Sequence, residues 1–589
     1  MRRPVAATAI LAGDRSQRRT TGSKTRARRC PPSDPAPPIR AIPTDGDRCA
    51  RIREVSHPAG MVTSAFDIVL RDATVAPGDS APIRADVAVR GGRIAVVGRA
   101  LPTDGAAEVV DASGMLLCPG FVDVHAHSAL EPFRDPRLRP KVAQGFTTEI
   151  INPDGLAPAP VAADRRRALA AQLAPIEGVT PDAWTWETVE EYLEALAATR
   201  PATSLIASAG HNALREFVAP RRSRPLNASE RAAMRAQIAL AVEAGARAVS
   251  LGLVYPPGMF ADADELLAVA EEAARCGVPL TVHLRNEAAG VLEAAGEMVD
   301  VARRSGAALH LSHLKAIGPP DLLERLVQLV DRAAEDLDVT FDVYPYGAGS
   351  GALVSSLPPW AQAGDVDDVL ARVHDADARA RIRKDVERGL PGWENPFRTL
   401  GAGAFVLADV ADPRSDDVGK TLERVAEERS TDTVTAAMDL LVETSLAVTT
   451  VEHFADERVV RDLVAHPRAL IGSDGIFARR PHPRLFGTAA KVLGRYALSE
   501  RLLPLQDAVS KLSARAADRF GLFDRGRIAP GKRADLVLLD PGRYVDLATY
   551  ERPTVVPDGV VRVLVAGATV WPDTPPATSA SRRSGDVGD

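Results

Sequence analysis

Over residues 66–118 apolar and polar positions alternate in short runs, FDIVLRDATV, ADVAVRGGRIAVVG and AEVVDASGMLLCPG, broken by turn residues such as Gly91 and Gly92. A two-residue period punctuated by glycine turns predicts half-buried strands, so this stretch reads as a small antiparallel sheet. The same vocabulary returns near the other end, in GRIAPGKRADLVLLD and VVRVLVAGATVW. Chain termini often lie close together, and the pattern predicts one β domain built from both ends, with the middle of the chain forming another unit.

In the middle the period changes to strand and helix in alternation. Asn227 with Glu230 three residues later predicts a capped helix to about residue 243, ended by Gly245 and followed by the strand AVSLGLVY. A helix over about 263–275 ends near Gly277 and leads into VPLTVHL; another over about 287–304 ends near Gly306 and leads into AALHLSHL. Such repeats predict parallel strands joined by helices, an α/β architecture of the (β/α)8 TIM-barrel type. A doubly wound open sheet gives the same local pattern, so closure of the barrel is an inference at this level. Residues 346–448 fit the alternation poorly and read as an insertion of helices and irregular connections. The expected division is an extension over 1–62, small β domain over 63–118 and again over 525–571, barrel over 119–345 and 449–524, insertion over 346–448, and a polar tail over 572–589.

Composition narrows the class. The 589 residues suffice for a barrel with an accessory domain, and 72 basic against 78 acidic residues, net charge -6, favour neither nucleic acid nor an anionic membrane as partner. No apolar run approaches the roughly 18 residues that span a bilayer. The four cysteines, Cys30, Cys49, Cys118 and Cys276, lack CxxC spacing and read as free thiols of a reducing, cytoplasmic compartment. Residues 1–60 are rich in Arg, Pro, Ser and Thr and read as a disordered extension; the apolar stretch from Pro4 to Gly13 is too short for a signal peptide and runs into Asp14. Met61, just before the first strand, is the expected biological start.

The chemistry sits at the ends of apolar runs: His125 and His127 in FVDVHAHS, His283 in LTVHLRN, His313 in LHLSHLK and Asp474 in LIGSDG. Alternation along a strand puts His125, His127 and Asp123 on one face and Val122 and Val124 on the other. Imidazoles and a carboxylate at several strand ends form a donor set that zinc prefers. Asp474 also suits a plain turn before Gly475. His310 is assigned to packing and His211 to a loop near the cavity mouth, while His453 and His482 are candidates for supporting the ligands.

The motifs PGFVDVHAHS, PKVAQGFTTEI, SLGLVYPPG, HLRNE, LSHLK, DVYPYGAGS, IGSDG, PHPRLFGTAAKVLGRY and RGRIAPGKRADLVLLD resemble the amidohydrolase superfamily and, within it, the N-acyl-D-amino-acid deacylase (D-aminoacylase) family. The resemblance implies a zinc-bearing (β/α)8 barrel with a composite β-sandwich and an insertion domain, holding one or two divalent ions and hydrolysing small N-acyl-D-amino acids. It implies His125, His127, His283, His313 and Asp474 as metal ligands, with Asp474 as the general base. For the substrate carboxylate it implies Tyr255, Lys315, Tyr344 or Tyr346, and Arg484. Where that family carries a cysteine ligand, this chain has Asp154 in INPDG, a harder donor that widens the choice of ion. No lysine stands at a strand end where it would bridge two ions, unlike hydantoinases and dihydroorotases. A cyclic-amide hydrolase or dipeptidase on the same barrel, and a non-catalytic binding or assembly protein, are the alternative readings.

Overall fold

The computed structural model describes residues 66–178, 184–412 and 414–572. The expected extension over 1–62, the start at Met61, Cys30, Cys49 and the tail beyond residue 572 lie outside the described residues.

Eight parallel strands form the centre: Phe121–His127, Phe146–Ile151, Ser204–Ala207 continued by Ala209–Gly210, Val249–Gly252, Leu280–His283, Leu309–Leu311, Val339–Val343, and Ala469–Ile471 continued by Gly475–Ile476. The third and eighth each change partner midway. Ser204–Ala207 pairs with Phe146–Ile151 whereas Ala209–Gly210 pairs with Val249–Gly252. Likewise Ala469–Ile471 pairs with Val339–Val343 whereas Gly475–Ile476 pairs with Phe121–His127. Every strand therefore has two neighbours and the ring closes, which an open doubly wound sheet does not do.

Helices cover the outside of this ring, so the strands are buried on both faces; all seven residues of Phe121–His127 are buried. Val122 and Val124 pack outward with Ile150, Leu470 and Phe520, which leaves Asp123, His125 and His127 facing inward. The helices begin and end where the local chemistry dictates. Asn227 and Glu230 form a reciprocal capping box at Ala228–Ala244, and Gly245 ends it at φ 123°. Ala263–Cys276 is capped by Asp262 and ends at Gly277. The helix expected from about 287 begins later, at Val291–Ser305, because the Asn286 side chain accepts bonds from the Ala288 and Gly290 amides and holds a turn there.

The two chain ends meet in one eight-stranded sheet, where Leu536–Leu539 pairs antiparallel with Leu116–Pro119. The sheet is mixed rather than antiparallel throughout: Ile68–Val75 runs antiparallel to Ile83–Arg90 but parallel to Glu108–Asp111 and Leu116–Pro119. Within 346–448 the helices Val366–His374 and Ala376–Arg388 appear, and the segment also supplies strands Ala348–Ala352 and Phe405–Val410. Both pair antiparallel with Val448–His453, so this three-stranded sheet runs past residue 448, into the stretch expected to resume the barrel.

Candidate functional site

His125, His127, Asp154, His283, His313 and Asp474 converge at the carboxyl ends of the barrel strands. Donor atoms of His125, His127, Asp154 and Asp474 lie within 4.8 Å of one another, as do those of Asp154, His283 and His313. Asp154 belongs to both groups. Its Oδ2 is 3.3 Å from His125 Nε2 and 3.7 Å from His127 Nε2, while its Oδ1 is 3.8 Å from His283 Nδ1 and 3.7 Å from His313 Nε2. Asp474 Oδ1 lies 3.2 Å from His127 Nε2 and 3.6 Å from His125 Nε2.

The backbone is bent to bring these groups in. Asp154, His313 and Asp474 have φ of 55°, 32° and 49°, a left-handed region that costs a non-glycine residue about 1–3 kcal/mol unless its surroundings impose it. They are imposed: the Asp474 amide donates to the His125 carbonyl at 2.8 Å, and the His313 amide donates to Asp342 Oδ1 at 3.0 Å. Gly252 lets the chain pass Asp154, since a Cβ there would overlap the Asp154 carbonyl oxygen.

A carboxylate orients the outer nitrogen of three of these imidazoles. His127 Nδ1 is 2.9 Å from Glu177 Oε1, His125 Nδ1 is 3.5 Å from Asp342 Oδ2, and His313 Nδ1 is 3.1 Å from Glu287 Oε1, with the Lys315 ammonium that Glu287 holds at 2.8 Å from the same nitrogen. Such partners fix the ring and its tautomer so that the other nitrogen is free to ligate. Asp123 lies one layer deeper, accepting from buried Lys141 at 2.7 Å and from the Ser473 amide at 2.7 Å. Glu177, Asp342, Glu287 and Lys141 went unassigned in the sequence. Asp342 carries a signal, a lone acid in the apolar run VTFDV, and Glu287 stands four residues after His283; Glu177 and Lys141 carry none.

Charge balance shows what the site accepts. Burial alone would raise the Asp474 and Asp154 carboxyls; the Arg484 guanidinium with His125 outweighs it at Asp474, and His125, His127 and His313 outweigh it at Asp154, so both are held well below the usual carboxylate range. Burial opposes a charge on His125, yet Asp154, Asp342 and Asp474 push it up to about 10. His283 goes the other way, to about 4, because burial dominates there. The acids thus draw positive charge into the centre, while Asp154 Oδ1 and His283 Nδ1 are buried without hydrogen-bond partners. A divalent cation fits this donor set, supplying the charge and using the orphaned atoms.

A cavity opens over these groups, lined on its floor by His127, Asp154, His283, His313 and Asp474, and also by Tyr255, Lys315 and Tyr344. The Tyr344 hydroxyl is buried and unpartnered. The expected positions of Tyr346 and Arg484 need correcting. Neither lines this cavity: the Tyr346 ring lies beside Lys491 and His482, and Arg484, fully buried, is 2.9 Å from Asp474 Oδ2 and stacks on Tyr344. Arg484 opens the helix Arg484–Ala489, and its guanidinium also donates to the Ser350 carbonyl at 3.3 Å.

The remaining histidines divide. His310 does more than pack: it is 3.0 Å from Asp342 Oδ2 and 2.7 Å from Thr340 Oγ1, bracing the acid that meets His125. His482 accepts the Arg484 amide at 2.9 Å. His211 is not a loop residue at the mouth; it is buried as the first residue of helix His211–Val218, 2.9 Å from Glu265. His453 is exposed beside Tyr550.

The sequence profile of the amidohydrolase family matches residues 108–571. The chain is 35% identical over 527 residues to an N-acyl-D-glutamate deacylase of Alcaligenes xylosoxydans xylosoxydans, covering 88% of this chain and 96% of that protein. It is 33% identical to a D-aminoacylase of the same organism, covering 86% and 94%. Among solved structures it resembles the N-acyl-D-glutamate deacylase of Bordetella bronchiseptica, complexed with zinc and a phosphonate inhibitor that mimics the tetrahedral intermediate. The TM-score is 0.74 at 33% identity, covering 87% of this chain and 98% of that one.

Proposed function

The chain belongs to the amidohydrolase family, and on that premise we propose that it is a zinc-dependent N-acyl-D-amino-acid deacylase, hydrolysing a linear amide to a carboxylate and a free D-amino acid. The observation that carries this reading is Asp154, shared between two donor groups on the floor of an open cavity beside Asp474. His125, His127, Asp154 and Asp474 would hold one ion and Asp154, His283 and His313 a second. When bound, a divalent cation there acidifies water and polarises an amide carbonyl.

The residues of the chain account for the rest. Asp474, kept ionised by Arg484, takes the proton of the attacking water at a carboxylate oxygen and returns it to the departing amine nitrogen. Lys315, Tyr255 and Tyr344 face the cavity and receive the α-carboxylate, fixing which enantiomer presents its amide to Asp474. Arg484 acts through Asp474 and not on the substrate. A cytoplasmic location belongs to the same reading: among the described residues Cys118 and Cys276 are free thiols, and no helix is long and apolar enough to cross a membrane.

The test is metal analysis of the purified protein together with amine release from paired N-acetyl-D- and N-acetyl-L-amino acids. Turnover of the D series with bound zinc is expected. Equal turnover of both enantiomers rejects the D-specific reading, and a metal-free, folded, inert protein rejects the enzyme.

A further inference from the structure

The cavity wall away from the floor carries two carboxyl groups that no basic side chain meets. Glu394, in the loop before helix Pro396–Thr399, and Glu452, on strand Val448–His453, both line it. Glu452 accepts from the Thr450 hydroxyl at 2.8 Å, and Glu394 Oε1 is buried with no hydrogen-bond partner. No ion pair within 4.0 Å is formed by either carboxylate among the described residues. Lys315 is the sole lysine or arginine among the lining residues, and it is engaged by Glu287 at 2.7 and 2.8 Å. Arg484, outside the lining, is turned to Asp474. The wall also has an apolar and aromatic part, Leu156, Ile176, Trp393, Leu400 and Phe454, beside the hydroxyls of Ser350, Ser355, Ser356 and Thr399.

We infer that the substrate side-chain pocket, on the deacylase reading above, selects N-acyl-D-amino acids with a cationic side chain, such as D-lysine or D-arginine, through Glu394 and Glu452. The apolar wall receives the methylene stem, as such stems lie along apolar surface elsewhere, and Trp393 offers a face to the cationic head. With Lys315 shared between Glu287 and the α-carboxylate, an acidic side chain would meet two carboxyl groups and no free cation, whereas an ammonium supplies the positive partner that both carboxyls lack. This preference would separate the chain from the N-acyl-D-glutamate deacylase that it resembles. Burial and the Glu287 charge push the Glu394 carboxyl up to about 8, and burial raises Glu452 as well; both respond as acids short of a positive partner, which an entering ammonium supplies.

The experiment measures kcat/KM of the zinc-loaded enzyme for N-acetyl derivatives of D-lysine, D-arginine, D-norleucine and D-glutamate. D-lysine is expected to exceed D-norleucine, which keeps the apolar stem and lacks the ammonium, by about tenfold or more, and D-glutamate by roughly a hundredfold. In a Glu394→Gln/Glu452→Gln double variant the lysine-to-norleucine ratio should collapse toward one; both changes are isosteric, and the ratio within one preparation is insensitive to partial misfolding. D-norleucine turned over as well as D-lysine, D-glutamate as the preferred substrate, or a ratio unmoved in the double variant would each overturn this inference alone. Inertness toward every D-substrate would instead overturn the deacylase reading beneath it.

Discussion

Glu177→Gln tests whether the carboxylate behind an imidazole governs the metal centre. Glu177 is buried; Oε1 is 2.9 Å from His127 Nδ1 and Oε2 accepts the Ala129 amide at 3.0 Å. Both neighbours donate, so a carboxylate satisfies both, whereas the isosteric amide has one oxygen and must turn its NH2 toward one donor. A mispaired buried group costs about 1–3 kcal/mol. If the mispairing falls on His127, its Nε2 is no longer held toward Asp474 and Asp154, and zinc affinity should fall roughly 10- to 100-fold. Competition with a chromophoric chelator measures the affinity, and thermal melting in excess chelator checks the fold. Amine release at saturating zinc should recover more fully than affinity does, because no group touching the substrate has changed. An unchanged apo melt with zinc affinity within about twofold of wild type would refute the reasoning.

Four further outcomes are expected. Asp474→Asn should lower kcat by about 10²- to 10⁴-fold even with zinc saturated, measured by amine release, since an amide cannot accept and return the proton. Asp154→Asn removes the carboxylate common to both donor groups, and metal analysis should find fewer ions per chain than in wild type; equal occupancy would deny its bridging place. Glu394 has its carboxyl raised from 4.5 to about 8 by burial and by Glu287, so the folded protein holds that proton more tightly than the unfolded chain. This stabilisation is complete below pH 4.5 and is lost as pH climbs to about 8, so wild type should lose more melting temperature than Glu394→Gln between pH 5 and 9; parallel losses would contradict the assignment. Excess chelator should lower the melting temperature, and each tenfold rise in free zinc above its dissociation constant should add about 1.4 kcal/mol of stability; a melt indifferent to both would exclude a ligand specific to the folded state.

Sequence reading went furthest where a single local rule decides the structure. The Asn227 and Glu230 box, the stops at Gly245 and Gly277, and the pairing of the two chain ends all follow from short-range chemistry or from matched strand vocabulary. Closure of the barrel was not legible, because it depends on two strands changing partners at Ser208 and at residues 472–474, and no local period encodes a partner. The convergence of His125, His127, His283, His313 and Asp474 was legible through alternation and strand-end placement. Arg484 and Tyr346 do not line the cavity, because their motifs report nearness to the site and not the direction of the side chain.

The residues that escaped notice share a physical cause. Glu177, Asp342, Glu287 and Lys141 act by meeting another side chain brought in from a distant part of the chain: Glu177 reaches His127 across 50 residues, and Lys141 reaches Ser473 across 332. A ligand must stand at a strand end and so leaves a positional trace; a group that steadies a ligand need only lie on whatever surface backs it. Lys141 shows the consequence. Its ammonium, buried among Asp123, Glu149 and the Ser473 hydroxyl, neutralises the acid whose other oxygen holds the Ser473 amide, one residue from Asp474. Loss of one partner from such a buried pair costs about 3–5 kcal/mol, and here that cost would fall on the bend that presents the proposed base. The precision of the centre therefore rests as much on these long-range pairs as on the donor atoms.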